Sequence, residues 1–389
     1  MKGKNIILII VMILIIVVIY YFESSKPDID TSTIESDIKI EELEKEDVEE
    51  KGTITEEENK TEPDVEVQLS EEDLLRIDSK TERYHRAKEI VDPEGYINVD
   101  YINISSLIGK KIILVDFWTY SCINCQRTLP YLTTWYSTYK DDGLVIIGVH
   151  TPEFGFEEEY DNVVEATKKW GVEYPVVQDN DYQTWRAYKN RYWPRKYLID
   201  IDGFIVYDHI GEGAYNETER RIQKLLMERN EVLGLRDVIK EEISDVEVET
   251  PEFRQIRTPE LYFGYEFEKG QMGNEQGWMP DKIVDYKIPS GLVGDKFYLD
   301  GSWKNNLDSM ELVSNKGKIV LKYKAKIVNL VAGSEEPQNI EVYLDGKKIS
   351  DIEISHFDLY NVVDGDSYSE HQLELRIPSG VMAYTFTFG

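Results

Sequence analysis

The sequence predicts an α/β domain followed by an all-β sandwich, both placed behind a single N-terminal transmembrane helix and an acidic disordered linker. Three observations predict this architecture. Residues 6–22 are uniformly apolar, strands alternate with helices between residues 84 and 228, and short strands separated by Asp-Gly turns follow from about residue 259. A chain of 389 residues has room for two or three domains of ordinary size.

The apolar run predicts a membrane anchor in residues 1–22. Its core, residues 6–22, contains seventeen apolar residues and no charge, and it would span roughly 25 Å as a helix. Lys2 and Lys4 precede it and Glu23 follows it, so the positive-inside rule predicts a cytoplasmic N-terminus and an extracytoplasmic remainder. The protein is thus expected in the cell membrane as a single-pass protein. A cleaved signal peptide is the alternative, but no small-x-small cleavage pattern follows the run.

The anchor is followed by an acidic segment, residues 23–80, which is predicted to be a disordered linker. Residues 23–73 contain 21 Asp or Glu and 5 Lys, and such a composition cannot bury enough apolar surface to fold alone. The whole chain has a formal net charge of −31. That charge argues against a nucleic-acid partner, because phosphate backbones repel so acidic a surface.

The α/β domain is assigned to residues 81–235, and a second linker to residues 236–255. Buried strands are predicted from their continuous apolar runs, and helices from apolar residues that recur on one face. The predicted elements in chain order are strand 112–118, helix 125–139, strand 144–149, helix 162–170, an extended segment at 174–177, strand 196–200 and helix 217–228.

Cys122 and Cys125 are the only cysteines in the chain, and they lie between a predicted strand and a predicted helix. A helix N-terminus stabilises a thiolate and lowers the pKa of a thiol from about 8.5 toward neutrality, so the pair is suited to thiol-disulfide exchange. Two alternatives remain. A structural disulfide would close too small a loop to restrain the unfolded chain, and a metal site needs about four ligands, of which only His150 is a further candidate.

Spacing around the dithiol resembles the thioredoxin superfamily. Asp116 lies six residues before Cys122, Pro130 lies five residues after Cys125, and Trp193-Pro194 precedes a predicted strand. The longer strings VDFWTYSCINCQRTLPY, GVHTPEF, YPVVQDNDYQTWRAY, YWPRKYLID and GEGAYNETE are similar to the extracytoplasmic region of DipZ-type proteins, which are relatives of the TlpA-like reductases. This resemblance extends from about residue 95 to residue 389.

The resemblance implies a thioredoxin-like fold and a role for each of four residues. Cys122 is expected to be the nucleophile and Cys125 the resolving thiol, so that a redox-active Cys122–Cys125 disulfide is the expected prosthetic element, with no other cofactor and no metal. Asp116 lies in an apolar strand, where burial should raise its pKa and suit it to accept a proton. A purely local hydrogen-bonding role is the alternative. Pro194 is expected in the cis form, facing the dithiol, and an ordinary turn proline is the alternative.

Five further residues are candidates for lining the substrate groove because they adjoin the dithiol, the end of a buried strand or the expected cis-proline. They are Trp118, Ser121, Trp193, His150 and Glu153. Ligands of α/β proteins bind at the carboxyl ends of the sheet strands, and His150 and Glu153 follow one such end. A packing role is the alternative for His150 and for Trp118.

The final region, residues 256–389, is predicted to be an antiparallel sandwich because its short strands are separated by turns such as Asp300-Gly301 and Asp345-Gly346. In DipZ-type proteins the similar region is a jelly-roll module that resembles carbohydrate-binding modules. Trp278, Trp303 and Tyr298 are therefore candidates for stacking on a glycan. The alternatives are core aromatics and a protein-docking or structural role.

Together these features predict a membrane-anchored extracytoplasmic thiol-disulfide oxidoreductase that reduces disulfides of exported proteins. DipZ proteins have a multi-helix, CcdA-like membrane domain where this chain has one apolar run, so a separate CcdA-like carrier is the expected electron source. The alternative is a copper- or metal-handling, or carbohydrate-binding, surface protein that uses the thioredoxin-like part as a scaffold. The direction of exchange, reductase, oxidase or isomerase, depends on potential and partner and stays open.

Overall fold

A computed structural model describes residues 70–267 and 269–389, which belong to one compact unit. The predicted anchor, residues 1–22, and most of the predicted acidic linker lie outside these residues. In the described part of the chain no helix is both long enough and apolar enough to cross a membrane.

The first folded region is an α/β structure around a seven-stranded mixed sheet, which confirms the predicted α/β class. The strand order is β1-β7-β6-β3-β4-β5-β2. Its elements in chain order are α1 (Glu71–Thr81), β1 (His85–Arg86), β2 (Gly95–Ile97), β3 (Ile112–Trp118), α2 (Ile123–Tyr139), β4 (Leu144–His150), α3 (Tyr160–Lys169), β5 (Val176–Gln178), α4 (Gln183–Ala187), β6 (Arg195–Ile199), β7 (Phe204–Ile210) and α5 (Tyr215–Val232).

Strand β3 is the centre of this sheet. It pairs in parallel with β4 and antiparallel with β6, and all seven of its residues are buried. Burial on both faces explains its continuous apolar sequence IILVDFW, because a strand covered on both sides does not alternate apolar and polar residues. The one charged residue in this run is Asp116, which is therefore held in the interior of the domain.

Helix α1 lies within the segment predicted as disordered linker, so the folded region begins earlier than residue 81. Ser70 and Asp73 form a capping box at its start. The helix buries none of its own residues, and Lys80 attaches it to the domain by an ion pair with Asp200 at 2.6 Å. Composition alone missed this helix because its docking depends on charge pairing and not on apolar periodicity.

The second folded region is all-β, as predicted. Its hydrogen-bonded order is β14-β13-β15-β12-β10-β11-β16-β8, with β9 on β10, and an additional β12–β16 pairing makes the sheet barrel-like. A division into two jelly-roll sheets stays a prediction. The strands are β8 (Leu261–Tyr262), β9 (Ile283–Tyr286), β10 (Phe297–Asn305), β11 (Met310–Leu312), β12 (Lys316–Gly333), β13 (Gln338–Leu344), β14 (Lys347–Ile354), β15 (Asp358–Pro378) and β16 (Met382–Phe388).

The two regions share an apolar cluster. Val331 and Tyr384 of the β region belong to the same buried cluster as Trp118 and Leu129 of the α/β region. The connecting residues 233–260 form no helix or strand, yet the Ile239 side chain is buried against this cluster. The predicted boundaries at 235 and 255 stay predictions, since both regions and their connection pack as one body.

Candidate active site

Cys122 and Cys125 lie at the junction of β3 and α2. Cys122 is the N-cap of α2, and its Sγ accepts a hydrogen bond from the Cys125 backbone N–H at 3.3 Å. Both cysteines are free thiols. Cys122 is half-buried, whereas Cys125 is 1% exposed. A reagent from solvent therefore meets Cys122 first, and Cys125 lies beneath it.

Burial raises the pKa of the Cys125 thiol well above its ordinary value, and the neighbouring Cys122 and Asp116 raise it further. A thiol of this kind does not ionise unaided at neutral pH. It needs a proton acceptor close by before it can act as a nucleophile. Asp116 is close enough for its charge to contribute to this raised pKa.

Asp116 is 1% exposed, and neither of its carboxylate oxygens has a hydrogen-bond partner among the residues that the structure describes. Burial raises the pKa of this carboxyl from 3.8 to about 7, and the positive charge of Lys196 opposes the rise. Lys196 is also 1% exposed, is paired with Asp116 across β3 and β6, and donates to the Gly211 carbonyl at 3.3 Å. Burial lowers the pKa of the Lys196 amine. The predicted elevation of the Asp116 pKa therefore has a physical basis, and Lys196 is a partner that the sequence analysis missed.

The Trp193–Pro194 peptide bond is cis, as the sequence predicted. Trp193 is half-buried and its indole N–H donates to the Thr151 carbonyl at 3.0 Å. Trp193 and Cys122 pack against the same apolar cluster, at its partly exposed edge. Of the five groove candidates, Trp193 and Glu153 are the two that are half-buried and not fully buried.

Three of the other groove candidates are in the interior, so the expectation that they contact substrate is wrong. Trp118 and His150 are 0% exposed and Ser121 is 1% exposed. The Trp118 and His150 rings pack edge to face at 5.2 Å. Burial lowers the pKa of His150 to about 3, so this imidazole is neutral at physiological pH and is a poor proton acceptor there. The sequence places these residues beside the dithiol but does not show that their side chains are buried.

Glu153, the fifth candidate, is hydrogen-bonded through its backbone N–H to Glu157, a buried carboxylate that the sequence analysis missed. The Glu153 carboxyl has a pKa raised to about 8, first by burial and then by the charges of Glu157 and Glu260. Glu157 is 0% exposed, and its Oε1 accepts a hydrogen bond from Ser121 Oγ at 2.6 Å. No sequence signal pairs residues 36 positions apart, because this contact depends on how the loop after β4 folds back.

The aromatic candidates of the β region do not present free rings. Trp303 and Tyr298 are 0% and 2% exposed, so they are core residues and the prediction that they stack on a glycan is wrong. Trp278 is partly buried against the same core, and its indole N–H donates to the Phe263 carbonyl at 2.6 Å. A sandwich or barrel interior needs large apolar side chains, and these aromatics supply them.

Within residues 70–267 and 269–389, the one group of three or more His, Cys, Asp or Glu side chains close enough to share a cation is Asp200, Asp202 and Glu228. The Lys80 ammonium pairs with all three carboxylates, at 2.6, 2.8 and 2.5 Å. A protein cation therefore already occupies this group. Neither cysteine belongs to it.

Comparisons with known proteins agree with this geometry. A family profile described as "Thioredoxin-like" matches residues 109–205, and one described as "Thioredoxin like C-terminal domain" matches residues 258–389. Protein DipZ of Mycobacterium bovis is 38% identical over 296 residues, which cover 74% of this chain and 40% of DipZ. The chain thus spans about two fifths of the length of that relative.

Two further matches each cover about a third of the chain. Thiol-disulfide oxidoreductase ResA of Bacillus cereus is 32% identical over 124 residues, which cover 32% of this chain and 68% of ResA. A solved structure of a thioredoxin-like protein in the oxidized form is 24% identical with a TM-score of 0.35, and the match covers 37% of this chain and 97% of that one. The chain belongs to the thioredoxin superfamily and is DipZ- and TlpA-like.

Proposed function

We propose that this protein is a thiol-disulfide oxidoreductase in which Cys122 attacks a substrate disulfide and Cys125 resolves the mixed disulfide. The observation that carries the proposal is the unequal placement of the two thiols. Cys122 is half-exposed at the start of α2, and Cys125 is buried next to a carboxylate whose pKa is about 7. The similarity to ResA and DipZ supports the same reaction class.

In the first step, a mixed disulfide between Cys122 and the substrate replaces the disulfide of the substrate. The Cys122 thiolate attacks one sulfur of the substrate disulfide, the substrate S–S bond breaks, and the departing substrate sulfur takes a proton from solvent. The Cys125 N–H and the start of α2 stabilise the Cys122 thiolate before attack. The product of this step is a mixed disulfide between Cys122 and the substrate.

The second step releases the substrate. Asp116 accepts the proton of the Cys125 thiol, and the resulting thiolate attacks Cys122 Sγ. The mixed disulfide breaks, the second substrate sulfur leaves as a thiolate that takes a proton from solvent, and a Cys122–Cys125 disulfide remains while Asp116 releases its proton to solvent. Two electrons have passed from the dithiol to the substrate. A general base works best when its pKa is near the working pH, and the pKa of about 7 for Asp116 satisfies this condition.

The setting of this reaction is also part of the proposal. The apolar residues 6–22 would anchor the protein with the dithiol on the extracytoplasmic side. The substrates would be disulfides of exported proteins, and a separate CcdA-like membrane carrier would return electrons to the Cys122–Cys125 disulfide. Glycan binding by the β region is not part of this proposal, because its predicted stacking residues Trp303 and Tyr298 are buried.

Insulin reduction by dithiothreitol tests the reaction. Wild-type protein should accelerate it, and Cys122→Ser should abolish the acceleration. Reduced Cys125→Ser, incubated with insulin after dithiothreitol has been removed, should accumulate mixed disulfides that added dithiothreitol then releases. Ser137→Ala, a change on the exposed side of α2, is the matched control and should behave as wild type. The reaction is disproved if wild-type protein does not accelerate reduction, or if Cys122→Ser retains full activity. Stoichiometric copper or zinc binding by such an inactive wild type, lost in Cys122→Ser, would indicate the metal-handling alternative.

A further inference from the structure

Glu157 connects the nucleophile loop to the loop that follows β4. Its Oε1 accepts hydrogen bonds from Ser121 Oγ at 2.6 Å and from Ser121 N at 3.3 Å. Its Oε2 accepts from the backbone N–H groups of Glu153 at 2.6 Å and Phe154 at 3.1 Å. A fully buried carboxylate with four donors is costly to disturb, because each lost partner leaves a buried polar atom unpaired. Ser121 is the residue directly before Cys122.

The same β4 loop is held on its other side by the β region. The Tyr262 hydroxyl donates to Glu153 Oε1 at 2.8 Å. The Phe156 ring packs edge to face on Tyr384 with centroids 4.7 Å apart. Tyr262 is in β8 and Tyr384 is in β16, so both contacts come from the second folded region.

A second link joins the nucleophile loop to the β region directly. The Tyr120 hydroxyl donates to the Phe357 carbonyl at 3.3 Å, and the Tyr120 side chain is 4% exposed. Two consecutive residues before Cys122 are therefore fixed by contacts that lead to residues beyond 258. The α/β region does not hold this loop alone.

We propose that the β region is a positioning element of the dithiol site, and that Tyr262, through Glu153 and Glu157, fixes Ser121 and so the N-cap geometry of Cys122. This inference rests on the proposed oxidoreductase function, which explains why the position of Cys122 matters. Its test does not require oxidoreductase activity. Tyr262, Glu157 and Ser121 are positioning residues, since their contacts reach Cys122 only through the loop. When the loop loosens, Cys122 Sγ moves off the Cys125 N–H, and the reduced dithiol loses a stabilising hydrogen bond.

The first measurement is the rate of Cys122 alkylation by iodoacetamide at pH 7. The experiment uses the fully reduced full-length chain, and mass spectrometry identifies the alkylated cysteine. Tyr262→Phe and Ser121→Ala should each slow alkylation at least threefold. The double variant should be no slower than the slower single variant, because both changes break one connected path. Tyr265→Phe is the matched control: it removes a tyrosine hydroxyl bonded to the exposed carboxylate of Asp281 in the same region, and should leave the rate unchanged.

The equilibrium of the dithiol with glutathione is the second measurement, because a role in stability alone would not move it. Tyr262→Phe and Ser121→Ala should shift this equilibrium at least threefold toward the Cys122–Cys125 disulfide. Glu157→Gln should have the largest effect, with Glu158→Gln, its exposed neighbour, as control. Thermal unfolding checks that each variant is folded, and if Glu157→Gln is not, the two milder variants decide the outcome.

The proposal is overturned if Tyr262→Phe alkylates at the rate of Tyr265→Phe, or if the single effects multiply in the double variant. Alkylation requires no disulfide substrate, so this result is independent of insulin reduction. A chain that fails to reduce insulin but shows the coupled loss of alkylation disproves the proposed function and supports the positioning role. A chain that reduces insulin but shows no coupled loss of alkylation supports the proposed function and disproves the positioning role.

Discussion

Asp116 and Lys196 lie opposite each other in the interior, on β3 and β6, and the raised pKa of Asp116 links the protonation of the site to the stability of the fold. Folding raises the pKa of Asp116 from 3.8 to about 7. Between these values the folded protein keeps a proton that the unfolded chain releases. The contribution of Asp116 to the free energy of unfolding therefore falls as pH rises through this window, and it does not change further above the window.

Replacing Asp116 tests this linkage. Asp116→Asn removes the ionisable group, so the variant should gain roughly 2–4 kcal/mol over wild type at pH 8 and almost nothing at pH 3.5. Urea unfolding at the two pH values measures the difference. Asp141→Asn, at an exposed position, is the control and should change stability little at either pH. An equal gain at pH 3.5 and pH 8 would contradict the raised pKa.

At the residue scale, a site residue could be predicted from the sequence where local structure alone determines its position. The strand–turn–helix junction fixed Cys122 and Cys125, and an acid in an apolar strand identified Asp116. Glu157 and Lys196 could not be found in this way, because their partners come from other strands and loops. Trp303 is a glycan candidate by sequence and a core residue in the structure, because aromatic composition does not distinguish a core ring from an exposed one.

Helix α1 shows how a polar element becomes part of a fold. Lys80 is 14% exposed at its side chain and contacts Asp200, whose side chain is 0% exposed. Arg76 adds two hydrogen bonds to Asp202, each at 2.9 Å. These partly buried ion pairs attach α1 to the fold in place of the apolar stripe that most surface helices have. Hydrophobic periodicity therefore could not predict this helix.

Lys80→Met should destabilise the fold because it leaves the buried Asp200 carboxylate without its cation. The expected loss in the free energy of unfolding is roughly 3 kcal/mol, measured by urea unfolding at pH 7. Arg221→Met, which breaks an exposed ion pair with Glu217, should cost under about 1 kcal/mol. Equal losses in the two variants would mean that α1 is not held by the Asp200 pair.

Over the whole molecule, the two regions meet through an aromatic contact surface centred on Phe156. Its ring lies 5.4 Å from Phe357 and 4.7 Å from Tyr384, both from the β region. The sequence indicated two domains with a linker, but patterning within each region cannot show that their surfaces pack together. Such packing predicts that the regions unfold together.

Phe156→Ala should therefore destabilise both regions, by roughly 3 kcal/mol. Hydrogen exchange measured across a urea series should show β3 and β12 losing protection at the same urea concentration in wild type, and both at a lower concentration in Phe156→Ala. Phe253→Ala, at a residue that is 53% exposed, should leave both midpoints in place. Loss of protection in β3 alone would show that the regions fold independently.

The unequal depth of the two thiols also makes the protein unusually easy to label. The chain contains no other cysteine, and Cys125 is 1% exposed. A bulky thiol-reactive dye or spin label added to the reduced folded protein should react at Cys122 alone, at one label per chain. A probe placed there would lie at the start of α2, and its signal would report directly on what approaches the dithiol.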